Sequence, residues 1–144
     1  MKKLVFTLMI AVACSAGAFA ATGSVNTKMS THFSKTFAHA KDVMWVSGSS
    51  FVKVNFVLDG EKMSAFYDES GDLLATSRTF AFDKLPKQAL ATLMDEYAFP
   101  AYQLTDCIEI KNANGEIRYY VSFESDNSNA VVEINPNGEV SQFA

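Results

Sequence analysis

The spacing of apolar residues changes once along the first third of the chain. Apolar residues recur every three or four positions from Met29 to Met44, and then at every second position from Phe51 to Val57. Side chains three or four apart share one face of a helix, whereas alternate side chains share one face of a strand. The pattern therefore predicts a helix that starts near Met29 and ends near Asp42, followed directly by a β-strand.

Alternation and turn residues continue to the end of the chain. Asp-Gly and Asn-Gly pairs are typical of tight turns between antiparallel strands, and Asp and Pro are favoured at the start of a helix. The later predicted elements are strands at 62–67 and 73–80, a helix capped by Asp83 with Pro86 in its first turn and ended by Pro100, and strands at 104–110, 117–124, 130–134 and 140–143. These elements predict an α+β fold with antiparallel strands.

The second half of the chain resembles the first. When the sequence is shifted by 67 positions, the matched pairs are Gly48 with Gly115, Val54 with Val121, Phe56 with Phe123, Asp59 with Asp126, Tyr67 with Ile134, Gly71 with Gly138 and Leu73 with Val140. The matches predict tandem repeats of a helix and antiparallel strands, at about 29–80 and 81–144, that share one core. The alternative is two unrelated hairpins with the same type of turn.

The first twenty residues have the three parts of a secretory signal peptide. Lys2 and Lys3 form a basic start, an apolar run follows at 4–13, and Ala18-Phe19-Ala20 is a small-x-small cleavage site. We expect cleavage after Ala20, followed by a flexible leader at 21–28. The alternatives are a membrane anchor, for which the apolar stretch barely reaches the required ~17 residues, and a lipoprotein attached at Cys14.

Charge and cysteine content narrow the classes of function. The chain has 12 Lys and Arg against 16 Asp and Glu, and its pI is about 5.1. This acidic balance disfavours nucleic acid and polybasic membrane binding. Cleavage after Ala20 would leave Cys107 as a lone cysteine, so the mature chain is expected to depend on its core for stability. His32 and His39 lie far from it in the sequence, which disfavours a catalytic thiol.

Two groups of potential metal ligands are better explained as ordinary structure. His32 and His39 are seven positions apart, which places them ~10.5 Å apart on a helix face and favours a solvated face over a zinc site. The acidic residues at 68–72 surround Gly71, and the second repeat keeps the glycine at Gly138 but not the acids. We therefore predict that residues 68–72 form a turn and not a metal site. We also expect no cofactor and no catalytic residue in the chain.

Several short motifs in a fixed order resemble a known family. They are Phe37-x-x-Ala40-x-x-Val43-x-Trp45, Val52-x-Val54-x-Phe56, Ala65-x-Tyr67-Asp68-x-x-Gly71-x-Leu73, Leu85-Pro86 and Tyr97-x-x-Pro100. With them the chain resembles, over about 29–143, the PepSY-like family of exported bacterial proteins, itself similar to β-lactamase inhibitor protein. The resemblance implies helices on one side of an antiparallel sheet and a role in binding a protein, as in relatives that inhibit an enzyme or restrain a peptidase. It carries over no catalytic or contact residue.

Alternation assigns the two faces of the predicted sheet. The helix-facing set is Val52, Val54, Phe56, Met63, Ala65, Tyr67, Tyr119, Val121, Phe123, Val132 and Ile134. The opposite, solvated set is Phe51, Lys53, Asn55, Phe66, Arg118, Tyr120, Ser122, Glu124 and Val131. Trp45, just before the first long strand, is interpreted as a core residue.

Aromatic residues among charged ones, as on this second face, are typical of recognition surfaces. The candidate partner-binding residues are therefore Phe51, Lys53, Phe66, Arg118 and Tyr120. Cross-strand aromatic pairs that only stabilise the sheet are the alternative.

These patterns favour an exported, non-enzymatic binding protein, periplasmic or secreted, that inhibits or modulates a protein partner such as a peptidase or other envelope enzyme. A carrier of a small ligand (a lipid or a peptide) in the cell envelope is the alternative, and it requires the sheet to curl around an apolar pocket. A structural envelope component and self-association remain open. Nucleic acid is not expected as a partner, and no membrane span is expected in the mature form.

Overall fold

The computed structural model describes residues 25–143. The predicted signal peptide, its cleavage site and the alternative lipidation at Cys14 lie outside the described residues. Residues 21–24 of the predicted flexible leader also lie outside the described residues. Its last two residues, Thr27 and Lys28, belong to a helix capped by Asn26, whose side-chain oxygen accepts a hydrogen bond from the backbone N–H of Met29 at 2.9 Å.

The chain divides into two units, one ending at Arg78 and the other beginning at Thr79. The first contains α1 (Thr27–Thr36), β1 (Lys41–Ser47), β2 (Val52–Leu58), β3 (Glu61–Tyr67) and β4 (Leu73–Thr79). The second contains a 3₁₀ turn (Phe82–Lys84), α2 (Lys87–Glu96), β5 (Gln103–Asn112), β6 (Ile117–Glu124), β7 (Asn129–Ile134) and β8 (Val140–Gln142). Within each unit, strands adjacent in the chain pair antiparallel. The α+β class predicted from the sequence is confirmed.

In the first unit, α1 covers one face of the strands. Met29 and Phe33 are its buried residues, and they pack with β2 and β3 in one apolar cluster. The Phe33 ring lies 5.0 Å from the ring of Phe56 and 5.4 Å from that of Trp45, both edge to face. Such aromatic pairs add to the stabilisation from apolar burial. Trp45 packs against this cluster, which confirms that it belongs to the core.

In the second unit, α2 covers a separate cluster. Ala89 and Leu93 of the helix pack with Cys107, Val121 and neighbouring apolar residues of β6 and β7. Each helix thus covers an apolar cluster within its own unit.

The register of the strands confirms the predicted helix-facing set. Val54 lies opposite Ala65 in the β2–β3 pair, and Val121 lies opposite Val132 in the β6–β7 pair. All eleven predicted residues belong to one of the two clusters or pack against it. Hydrophobic alternation was sufficient here because one face of each pair of strands is buried under a helix.

The first predicted helix is too long, and the sequence analysis missed β1. The helix ends at Thr36, where Phe37 leaves helical geometry (φ −122°, ψ 53°) while its N–H still bonds the Phe33 carbonyl. Ala40 and Met44 continue the helical spacing by coincidence, and Met44 is 63% exposed. An irregular register at the start of β1 further hides the strand pattern.

The predicted capping of the second helix by Asp83 is wrong. Asp83 lies inside the 3₁₀ turn, and the residue that precedes α2 is Pro86, which makes no side-chain capping bond. The helix ends at Glu96, with its last N–H bond donated by Tyr97, so it stops before Pro100. Pro86 stands at the N-cap with φ −51° and ψ 135°, and this φ is the one that the proline ring imposes.

In each unit a glycine turn lies against the start of the helix. Gly71 has φ +93°, and a Cβ placed on it would lie 2.9 Å from the side-chain oxygen of Asn26. Gly138 has φ +89°, and a Cβ there would lie 3.0 Å from the Cβ of Pro86. Only glycine combines this backbone conformation with so close an approach.

We predict that Gly71→Ala and Gly138→Ala destabilise the fold more than alanine at two other turn glycines. Gly60 and Gly115 have similar φ values of +85° and +84°, but a Cβ added to either would meet no atom within 4 Å. At these controls only the left-handed conformation is penalised, by about 1–2 kcal/mol. The steric contact should add about 1–3 kcal/mol at the other two. Urea unfolding measures the difference, and equal costs at all four positions would contradict the role of the contact.

Candidate functional site

Three of the predicted site residues come together in the first unit. Lys53 of β2 lies directly opposite Phe66 of β3. The Lys53 ammonium is 5.9 Å from the centre of the Phe66 ring, and the Phe51 ring meets the same ring edge to face at 5.8 Å. By strand parity all three lie on the side of the sheet turned away from α1. We call Phe51, Lys53 and Phe66 the aromatic patch.

The other two predicted residues come together in the second unit, around an acid that the sequence analysis missed. The Tyr120 hydroxyl donates a hydrogen bond to Glu133 at 2.6 Å, and the Arg118 Nε lies 3.5 Å from the same carboxylate. Burial, and then the bond to Glu133, raise the pKa of Tyr120. Glu133 faces Tyr120 across the β6–β7 pair. We call Arg118, Tyr120 and Glu133 the tyrosine network.

Four of the five predicted residues are buried, whereas the sequence predicted that all five lie on a solvated face of the sheet. Phe51 is 2% exposed, Lys53 6%, Phe66 0% and Tyr120 2%, while the Arg118 side chain is 39% exposed. Their contacts explain part of this burial, since the rings cover one another and the tyrosine hydroxyl is held by Glu133. The predicted side of the sheet is right, but the predicted exposure is wrong for these four.

His32 is not the solvated residue expected from the sequence. Its Nδ1 lies 3.0 Å from the hydroxyl of Tyr67, and the two rings meet edge to face at 5.6 Å. Burial raises the pKa of Tyr67 to about 12, so this hydroxyl stays protonated. His39 lies exposed beyond the end of α1. Among the described residues, no group of three potential ligands could hold a metal ion.

The acidic residues near Gly71 serve the turn itself. Asp68 accepts hydrogen bonds from the Ser70 hydroxyl at 2.6 Å and from the Asp72 N–H at 2.9 Å. Burial acts to raise the pKa of Asp68, but the hydrogen bonds outweigh it and lower that pKa. The Lys28 ammonium lies 2.7 Å from Asp72 and lowers its pKa. These contacts agree with the predicted turn.

An apolar groove lies at the C-terminal end of α2, within the second unit, and the sequence analysis did not find it. Its volume is about 580 Å³. The lining includes Met94, Tyr97, Phe99, Tyr102, Leu104 and Phe123. The crowding of aromatic residues on both sides of Pro100 is the sequence signal that could have indicated it. Concave apolar sites of about 300–1,000 Å³ commonly bind ligands.

Cys107 is buried under α2 and has no features of a nucleophile. It is 5% exposed, and burial, with a smaller effect of the Asp106 charge, raises its pKa to about 12. A thiol is reactive mainly as the thiolate, so this cysteine is inert in the folded chain.

Solved structures share this fold. A protein of Bacteroides eggerthii proposed to be periplasmic has a TM-score of 0.73 at 13% identity, covering 83% of this chain and 88% of its own. A DUF2874 family protein of Bacteroides uniformis has a TM-score of 0.70 at 13% identity, covering 81% and 86%. A BLIP-like protein of Bacteroides fragilis has a TM-score of 0.69 at 16% identity, covering 84% and 88%.

The resemblance to β-lactamase inhibitor protein stated from the sequence is confirmed at the level of the fold by the BLIP-like structure. No family model matches the chain, and neither does any curated protein. Within residues 25–143, no helix has both the length and the hydrophobicity to cross a membrane.

We predict that the Cys107 thiol is protected until the chain unfolds. In the native protein at pH 8, reaction with a disulfide reagent should be at least roughly a hundredfold slower than in denaturant. The pKa of Cys107 is higher in the folded chain than in the unfolded chain. The contribution of the buried, protonated thiol to the free energy of unfolding is therefore complete below about pH 9 and is lost as the pH rises towards about 12. Cys107→Ser is the control for the assay.

The number of thiols that react in denaturant also tests the predicted cleavage. A chain cleaved after Ala20 keeps only Cys107, whereas an uncleaved chain also keeps Cys14. Titration of one thiol per chain is expected, and titration of two would contradict cleavage. Rapid labelling of the native, cleaved chain would contradict the protection of Cys107.

Proposed function

We propose that the chain is an exported, non-enzymatic binding protein that acts on a protein partner through the sheet faces turned away from its helices. The observation that carries this proposal is the presence, in each unit, of aromatic side chains joined to charged ones on the side that the helix does not cover. Aromatic residues and arginine are enriched where proteins bind one another, and they carry much of the binding energy.

In the first unit the buried aromatic patch lies on this side of the sheet, where it would support such a surface from beneath. Phe51 and Phe66 are fixed against each other, and the Lys53 ammonium sits over the Phe66 ring. A surface whose side chains are already held in place loses less conformational entropy on binding. The burial of these residues in the complete chain also means that they stabilise the sheet, so truncating them would test two roles at once.

In the second unit the tyrosine network supplies the polar part. Arg118 is the most exposed of the five candidates and contacts Oε1 of Glu133, while Tyr120 bonds Oε2. A partly exposed arginine that is fixed by a carboxylate can present its remaining N–H donors to a partner. If the partner is a peptidase or another envelope enzyme, and this surface covers its active site, binding would inhibit the enzyme.

Export and the absence of catalysis belong to the same proposal. The signal peptide pattern with cleavage after Ala20 supports a periplasmic or secreted location, and a relative in fold is proposed to be periplasmic. Lipidation at Cys14 is the minor alternative. The protonated, buried Cys107 supports a non-enzymatic role, because this thiol is not available as a nucleophile in the folded chain.

We also propose that the two units arose by internal duplication, with repeats at about 29–80 and 81–144 in one PepSY-like domain. Both units have one helix followed by four antiparallel strands. Both helices end at an aromatic residue with the same backbone torsions, φ −122° and ψ 53° at Phe37 and φ −121° and ψ 49° at Tyr97. In both, a glycine at the matched position lies against the start of the helix.

A photo-crosslinking series tests the binding faces. Benzoylphenylalanine is introduced at Lys62 or Arg118, both on strands and on the side of the sheet away from the helices. Lys35 and Lys87, exposed bases on α1 and α2, are the matched controls, since each position loses one positive charge. In the native envelope, we expect the same crosslinked partner from the two sheet positions and none from the helix positions.

Two outcomes would contradict the proposal. Crosslinks of equal yield from the helix positions would place the contact on the helices. No crosslink from any of the four positions, with the protein folded and in its own envelope, would remove the protein partner itself.

A further inference from the structure

We propose that the apolar groove at the C-terminal end of α2 binds a basic, amphipathic peptide segment of another protein. This groove is lined by residues of the second unit alone and shares no residue with the aromatic patch or the tyrosine network. The inference therefore does not depend on the sheet faces proposed above.

The rim of the groove exposes large apolar side chains to solvent. Met94 is 69% exposed, Phe99 80% and Leu104 47%. All three line the same groove, so their exposure is concentrated at one place. Scattered apolar residues are ordinary on a protein surface, but a concentration of them at one concave site marks a binding surface. The flexible thioether of Met94 is also suited to partners of varied shape.

The floor of the groove is preformed. The ring of Tyr97 stacks on that of Phe123 at 4.6 Å with an angle of 9° between the planes, and Tyr102 meets Tyr97 edge to face at 5.2 Å. Leu93 and Phe123 beneath them are 1% and 4% exposed, since they belong to the core under α2. A rigid floor lets an apolar side chain bind without first ordering the site.

The net charge of the second unit indicates which class of partner binds in the groove. Residues 79–144 contain ten acidic and four basic residues, whereas residues 21–78 contain six of each. The whole net charge of −6 that remains after cleavage at Ala20 thus belongs to the second unit. A surface with one sign of charge attracts partners of the other sign and repels its own.

The same imbalance holds close to the groove. The last turn of α2 contains Asp95 and Glu96 and no basic residue, although helix C-termini favour cations because of their exposed carbonyl groups. No lysine or arginine lies between Lys87 and Lys111 in the sequence, and Lys84, two residues after the lining residue Phe82, is preceded directly by Asp83. Burial, and then the charge of Glu96, raise the pKa of Tyr97, so this negative charge acts on the groove lining. A partner's lysine or arginine would supply the missing cation.

These observations favour a peptide segment over the two other occupants. A second copy of the chain that met this groove with its own second unit would bring the same net charge of −6 against it, and its first unit has no net charge to attract it. A small apolar molecule needs enclosure of about 70–90% of its surface, whereas Met94 and Phe99 at the rim stay open to solvent. An amphipathic segment provides apolar anchors for the groove and basic residues for the acids beside it.

Fluorescence anisotropy with a labelled model peptide tests this inference. The probe is a peptide of about fourteen residues, with Leu and Lys at helical spacing, added to the protein as the host exports and processes it. We expect saturable binding at about 50 mM NaCl that weakens several-fold at about 300 mM, because salt screens the acids. Peptides with Glu in place of Lys, or Ser in place of Leu, should bind at least about tenfold more weakly.

A pair of apolar variants locates the binding. Met94→Ser with Phe99→Ser should weaken binding of the Leu/Lys peptide at least about tenfold. Val43→Ser with Met44→Ser is the matched control, since Val43 and Met44 are exposed large apolar residues in the described part of the first unit, at 41% and 63%. The control should bind as the unmodified protein does. Circular dichroism checks that both variants keep the fold.

A pair of charge variants tests the source of the attraction. Asp95→Asn with Glu96→Gln should weaken binding about tenfold at low salt and by much less at high salt. Glu69→Gln with Asp126→Asn removes the same charge at exposed positions in turns elsewhere, and should change the affinity by less than about twofold.

The inference is overturned if the control pairs lose as much affinity as the groove variants, or if the Ser/Lys peptide binds as tightly as the Leu/Lys peptide. It is also overturned if native mass spectrometry shows a retained small ligand that prevents the peptide from binding. A dimer of the protein that is dissociated by Met94→Ser with Phe99→Ser, and by no other variant, would overturn it as well. The crosslinks from Lys62 and Arg118 should be unchanged in that variant, so the two proposals fail separately.

Discussion

A β-strand sends alternate side chains to opposite faces, and a unit with one helix covers only one of those faces. This constraint determines how the side chains of each unit are divided between the core under the helix and the opposite side of the sheet. Val54 and Phe56 lie under α1 and form a core with it, while their neighbours Phe51 and Lys53 are directed to the other side. The side chains on the second side therefore contact one another, which produces the aromatic patch in one unit and the tyrosine network in the other.

The position of each helix on its sheet depends on contacts at both of its ends. At the start, a glycine turn between two strands lies against the first residues of the helix, and at the end an aromatic residue leaves the helical conformation and packs inwards. In the second unit that residue is Tyr97, whose ring is also the floor of the apolar groove. The same side chain that ends the helix thus shapes the candidate binding site, which ties this site to the stability of the core.

The sequence was informative where one periodicity acts alone over several residues. Strands β2 and β6 and the identity of their buried side chains could be predicted because one face is apolar and covered. Strand β1 could not, because Ala40 and Met44 continue the spacing of the preceding helix while Met44 is in fact exposed. Likewise, Asp83 has the residue type of a helix cap but lies within a 3₁₀ turn, three residues before the N-cap position that Pro86 occupies.

The candidate sites show a second limit of the sequence. Parity placed Phe51, Phe66 and Tyr120 on the correct side, but exposure depends on contacts across strands and beyond, which a single strand's pattern does not contain. Glu133 was missed for the same reason, since its partner Tyr120 lies on the neighbouring strand, 13 positions away in sequence. Most of the groove lining is instead local, between Leu93 and Leu104. The burial of Cys107 has a consequence of a different kind. For a chain exported to an oxidising compartment, as proposed, mixed disulfides can form at this sulfur only during an opening of the core. The rate at which Cys107 is oxidised therefore depends on the rate at which the core opens. This dependence does not require a second cysteine in the chain.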